Sequence, residues 1–215
     1  FTMNDYGSDG IYITPRCVGE DGWELSIKAL IDNADCSHKA RFTLIDADGN
    51  EKASAIADLR PIISAKLPVE DPVLWNGRKN PYLYTVRCEI FDSTTQEVTD
   101  NIDIRTGLRE YHIDSHKGFF LNGEHIKLQG VSRHQDRENM GNAITEKQHA
   151  EDVKIILDVG ANSVRLAHYQ QNSYFYDLCD ESGLLVWAEV PVISRFSPKR
   201  NENAEQQLVE LIKQN

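Results

Sequence analysis

The residues best equipped for chemistry stand at the ends of two apolar runs. Val164 and Leu166 flank Arg165 and lead to His168 and Tyr169, while Leu184, Leu185, Val186 and Trp187 lead to Glu189. Imidazole, guanidinium and carboxylate groups gathered at strand ends can orient a polar substrate, move protons and steady developing charge. A further histidine, His134, follows Ile126, Leu128 and Val131 in a run that continues through Gln135, Asp136 and Arg137. A lone histidine at a strand end is more often just hydrogen-bonded, but two at equivalent ends favour a site. Arg165, set in an apolar strand, needs a carboxylate or carbonyl partner, and pairing with Glu189 would hold a rim together equally well. His134 and Asp136 share one face of an extended chain, as two metal ligands would. No further His, Cys or carboxylate cluster completes a ligand set, so no metal is expected. Gln170 and Gln171 read as solvated loop residues.

Such groups need a scaffold of alternating strands and helices. Asn122 and Gly123 between apolar arms predict a hairpin whose second arm runs through Ile126, Leu128 and Val131. Thr145 with Gln148 predicts a helix N-cap and capping box. Ala150, Val153, Ile156 and Leu157 follow at helical spacing, and Gly160 closes the helix. Asn172 opens a second helix, with Phe175, Leu178 and Cys179 on one face and Gly183 at its end. A third opens near Asn203 and carries Leu208, Leu211 and Ile212. Strand and helix thus alternate through three βα units, which predicts a parallel sheet. In a parallel α/β barrel the carboxyl ends of the strands form the face where chemistry is done.

The first half has a different rhythm. Strands are predicted over 11–18, 23–33, 38–46, 55–61, 83–92 and 97–105, with turns at Asp21-Gly22, Asp48-Gly49 and Asn76-Gly77. Ser26, Lys28 and Arg41 alternate with apolar residues, giving each sheet a wet and a dry face. Residues 1–107 therefore read as a β-sandwich and 108–215 as the first part of a barrel.

Composition narrows the partners. A length of 215 residues suits two domains. The net charge of -11 argues against nucleic acid, whose phosphates need a basic surface. No apolar run approaches the roughly 18 residues of a membrane span. The chain starts at Phe1 without a signal peptide, and its compartment stays open. Cys17, Cys36, Cys88 and Cys179 lack metal spacing; free buried thiols are expected, with a Cys17–Cys88 or Cys36–Cys88 bridge as the alternative.

The segments GFFLNGEHIKLQGVSRHQD, NSVRLAHY and DLCDESGLLVWAEVP resemble the glycoside hydrolase family 2 enzymes, which include β-galactosidases, β-glucuronidases and β-mannosidases. HQDRENMGNAIT is most similar to the bacterial β-galactosidase branch, and LWN with NPYLY resembles part of the family's sandwich domain. The resemblance implies an immunoglobulin-like sandwich followed by the first part of a (β/α)8 barrel, inside a longer protein. By motif position it implies that His134 and His168 hydrogen-bond sugar hydroxyls and that Arg165 supports catalytic carboxylates at the pocket floor. Such bonds tighten as the sugar flattens toward an oxocarbenium ion. Asp136 is expected to orient the loop after the first barrel strand, and Glu189 to sit on the rim. Ser132 and Gln170 stand where the family usually has Asn and Pro, which alters loop shape but removes no catalytic atom. The magnesium ligands of some family members are missing from Val192-Ile193-Ser194-Arg195-Phe196, so no such site and no cofactor is expected.

A retaining glycosidase needs two carboxylates about 5 to 5.5 Å apart. The family's glutamate pair lies on later strands. Asn201-Glu202, the one Asn-Glu within the barrel portion, precedes the third helix and reads as a helix-start feature. No catalytic residue is therefore expected in this chain, which alone should be inactive and, with unpaired barrel edges, should self-associate or pack loosely there. The expected activity of the parent protein is hydrolysis of terminal β-galactosides. Glucuronate would need a basic group near C6 that no residue here clearly supplies. The alternative is a non-catalytic carbohydrate-binding or scaffolding protein, and a metal hydrolase using His134 and Asp136 is more distant.

Overall fold

The computed structural model describes residues 9–19, 22–192 and 201–214, in two compact units. The first comprises residues 1–75 and 82–110, the second 76–81 and 111–215.

The first unit holds seven antiparallel strands in two sheets. One sheet has the order β1 (Ile11–Cys17), β2 (Trp23–Leu30), β5 (Ile62–Val69). The other runs β4 (Glu51–Asp58), β3 (His38–Ile45), β6 (Tyr84–Asp92), β7 (Val98–Thr106). Alternation supplies the core: Trp23, Leu25, Ile27 and Ala29 of β2 are buried with Phe42, Leu44 and Val86. This is the expected immunoglobulin-like sandwich. The sequence does not predict β5, because Lys66 and Pro68 break its apolar look. As an edge strand it pairs with β2 alone, so the N–H that Pro68 lacks is not required.

The second unit opens with a small antiparallel sheet, β8 (Tyr111–Asp114), β9 (Gly118–Leu121) and β10 (Glu124–Ile126). Asn122 and Gly123 turn β9 into β10 with φ of 50° and 78°, the conformation that makes Asn-Gly a hairpin signal. The predicted second arm does not continue to Val131. The chain breaks after Ile126 and restarts as β11 (Gly130–Arg133), which is followed by α1 (Glu146–Asp158), β12 (Ser163–Leu166), α2 (Ser173–Ser182), β13 (Leu185–Ala188) and α3 (Asn201–Gln214). β11, β12 and β13 form a parallel sheet, the expected start of a barrel. Asn201 and Glu202 lie in the first turn of α3.

The first two predicted helix starts appear with their caps, and the third helix opens at Asn201. The Thr145 N–H donates to Gln148 Oε1 at 3.0 Å within a capping box, and Asn172 Oδ1 accepts from the Tyr174 N–H at 2.9 Å. Val153, Ile156, Val164, Leu166, Phe175, Cys179 and Leu184 form the core between helices and sheet. The inward position on the first turn of α1 is His149, not Ala150, which is exposed. Gln171, expected in solvent, is buried, and its Nε2 donates to the Arg133 carbonyl at 3.1 Å. All four cysteines are free. Cys88 and Cys179 are buried and pushed up to about 12 by burial, whereas Cys17 and Cys36 are exposed, contrary to expectation.

A buried cation ties α1 and α2 to β11. Arg133 places its guanidinium carbon 3.9 Å from the centre of the Phe175 ring and donates to Asp152 and Gln171. Its Nη2 also lies 2.9 Å from His149 Nδ1. Arginine has no acceptor, so Nδ1 accepts and the imidazole proton sits on Nε2, which is buried without a partner among the described residues. Burial first, and the Arg133 charge second, push the His149 pKa down.

Gly183 ends α2 with φ of 71°, and a Cβ there would lie 2.3 Å from the Gly77 carbonyl oxygen. Gly183→Ala should therefore destabilise the second unit by at least ~2 kcal/mol in denaturant unfolding, combining left-handed strain with a backbone clash. Unchanged stability would contradict this. The folded state keeps His149 neutral where the unfolded chain takes up its proton, so its contribution is full above the ordinary value of 6.5 and declines below it. His149→Gln should flatten the fall in melting temperature between about pH 6.5 and 5; an unchanged slope would exclude His149 as its source.

Candidate functional site

Register brings the site together. Ser132 pairs with Arg165 and Arg165 with Trp187, so β11, β12 and β13 end level with one another. Val164 and Leu166 turn to the helices, while Arg165 lies on the opposite face with Ser132 and with Trp187, which is 66% exposed. His134, His168 and Glu189 follow directly beyond the strand ends.

Arg165 grips Glu189 with two bonds, Nε to Oε1 at 2.6 Å and Nη2 to Oε2 at 3.0 Å. The same Nη2 lies 3.1 Å from His168 Nδ1, which is 3.3 Å from Glu189 Oε2. The His134 ring stands 5.2 Å from that of His168, edge to face, and 6.5 Å from that of Tyr169. The structure thus brings His134, Arg165, His168 and Glu189 together. Asp136 is exposed in the loop after β11 and shares no hydrogen bond with them.

Charge assigns limits to each group. The Arg165 guanidinium holds the Glu189 carboxyl below its usual range, and Glu189 raises Arg165 in return. Glu189 is thus an anion near neutrality, unsuited to protonating a leaving group. His168 is engaged through Nδ1, and among the described residues its Nε2 makes no hydrogen bond. His134 makes only ring contacts there. Two imidazoles side by side, each with a nitrogen to offer, suit neighbouring hydroxyls of a polyol.

The loop carrying His134 is held from several sides. The Gln135 N–H donates to the Tyr169 hydroxyl at 3.1 Å, and Gln135 Oε1 accepts from the Asn172 N–H at 2.7 Å. Arg137 donates to Asp152 at 2.7 Å and Glu151 at 2.6 Å, both on α1, and Arg137 and Gly141 close a tight turn. Sequence reasoning missed Arg133, Arg137 and Asp152. Its available signal was two arginines four apart around His134, Gln135 and Asp136, facing an acidic pair on the next helix. Among the described residues no group of three His, Cys, Asp or Glu is placed to hold a metal ion. Residues 193–196 of the stretch considered for magnesium lie outside the described residues.

Residues 9–109 match the model for glycosyl hydrolases family 2, and residues 113–215 match the model for that family's TIM barrel domain. A β-glucuronidase of Bacteroides fragilis is 37% identical over 226 residues, which cover 98% of this chain and 32% of that protein. A β-galactosidase of Thermoanaerobacter pseudethanolicus is 30% identical over 216 residues, covering 98% and 29%. The crystal structure of an FMN-binding β-glucuronidase from Faecalibacterium prausnitzii L2-6 superposes with a TM-score of 0.92 at 40% identity, over 99% of this chain and 33% of that one. The chain spans about a third of the length of such relatives. In sequence and in fold alike, the chain belongs to glycosyl hydrolase family 2.

Proposed function

We propose that this chain forms one wall of the sugar pocket in a retaining β-glycosidase. The observation that carries the proposal is the meeting of His134, His168, Arg165 and Glu189 at the carboxyl ends of adjacent parallel strands. His134 and His168 bind ring hydroxyls, and the cation–anion pair of Arg165 and Glu189 fixes His168. Arg165 also borders the pocket floor, Glu189 stands at its rim, and Asp136 shapes the loop at its mouth. The nucleophile and acid/base come from glutamates outside this chain: the cluster holds one carboxylate, paired with Arg165, where a retaining mechanism needs two about 5 to 5.5 Å apart.

For the sugar, a terminal β-glucuronide comes first, because the more similar of the two enzymes compared carries that name. A β-galactoside is the second reading, favoured by the run HQDRENMGNAIT. The guanidinium of Arg165 is committed to Glu189, so a glucuronate carboxylate would meet its cation elsewhere.

An aryl-glycoside panel on the longest natural form of the protein tests this. Cleavage of the β-glucuronide is expected, with kcat/KM falling roughly 10- to 100-fold in His134→Ala and in His168→Ala, as for loss of one strong hydrogen bond each. Cleavage of the β-galactoside instead would keep the pocket and change the sugar. Absence of any cleavage would turn the assignment to a carbohydrate-binding or scaffolding protein.

A further inference from the structure

Among the described residues His134 makes no hydrogen bond of its own, so the chain on either side must set its position. On one side Arg133, the last residue of β11 and 6% exposed, donates to Asp152 Oδ2 through Nε at 3.0 Å and Nη2 at 2.8 Å. On the other side Arg137 donates through Nη2 to Asp152 Oδ1 at 2.7 Å. One carboxylate thus holds both ends of a five-residue span, an oxygen for each guanidinium. Asp152 is itself fixed on α1, downstream of the Thr145 capping box. Asp152 has no hydrogen bond to His168, Arg165 or Glu189.

We propose that Asp152 is a positioning residue of the sugar pocket: its carboxylate staples Arg133 to Arg137 and thereby fixes His134 opposite His168. The proposal rests on the function given above. Its physical basis is the steep dependence of catalysis on geometry, where a displacement of about 1 Å can cost on the order of a hundredfold. Gln135 restrains the middle of the span through Tyr169 and Asn172, so release of one end shifts His134 rather than unfolding the loop.

The test is a double-mutant cycle in the longest natural form of the protein, read by aryl-glycoside kinetics and thermal unfolding. Arg137→Ala cuts one end of the staple and leaves the buried Arg133–Asp152 pair intact. It should lower kcat/KM roughly tenfold, with the melting temperature little changed and partial rescue by Arg137→Lys. Added to His134→Ala it should cost nothing more, while added to His168→Ala its loss should persist. Arg137→Gln, which removes the charge but keeps part of the side chain and leaves Arg133–Asp152 untouched, serves in the same cycle if Arg137→Ala does not fold. Full additivity with His134→Ala, or an active Arg137→Ala beside a crippled His134→Ala, overturns the positioning role. A silent His134→Ala overturns the pocket itself, and is distinguished by that single variant.

Discussion

The barrel unit depends on the register of its three short parallel strands, and one residue governs it. Asn162 immediately precedes β12 and bonds to the lead-in to β11 and to the first residue of β13. Its side chain accepts from the Gln129 N–H at 2.7 Å and donates to the Lys127 carbonyl at 2.9 Å; its own carbonyl accepts from the Leu185 N–H at 3.0 Å. Gly130 permits the close approach, since a Cβ there would lie 2.5 Å from Ser163 Oγ. A slip of one residue would exchange the faces of β12, burying Arg165 under the helices and exposing Val164 and Leu166. The level strand ends, and hence the meeting of His168 with Glu189, follow from this pinning.

The sheet then carries one arginine on each face, each with its own carboxylate. Arg133 is buried beneath the helices and is tolerable only because Asp152, Gln171 and the Phe175 ring surround it. Arg165 is on the open face, about half exposed, and bound to Glu189. Burial makes the first a packing element that orders α1, α2 and the loop after β11. Exposure leaves the second at the open face, where its bond to Glu189 orders the strand ends. The same residue type therefore orders the helices on one side of the sheet and the strand ends on the other.

How much of this the sequence could tell follows from the range of each signal. The capping box at Thr145, the Asn-Gly turn and the glycine after α2 are local, and each appears where its pattern predicts. The strand ends bearing His134, Arg165, His168 and Glu189 were legible because apolar runs stop abruptly there. By contrast β5 was hidden by Pro68, whose tolerance depends on an edge position no sequence window reveals. Gln171 read as a solvated residue, and Arg133 and His149 gave no signal, because their partners lie 16 to 38 positions away. Polar residues buried by mutual pairing defeat periodicity, which equates polar with exposed.

The claim at the centre is that the two histidines receive a sugar. A crystal structure of the longest natural form with a monosaccharide lactone of glucuronate or galactose configuration addresses it most directly. The account predicts His168 Nε2 and a ring nitrogen of His134 within about 3.2 Å of neighbouring hydroxyls, with the Arg165–Glu189 pair still closed. A lactone seated away from both imidazoles, or an Arg165 released from Glu189 to bind it, would contradict the account.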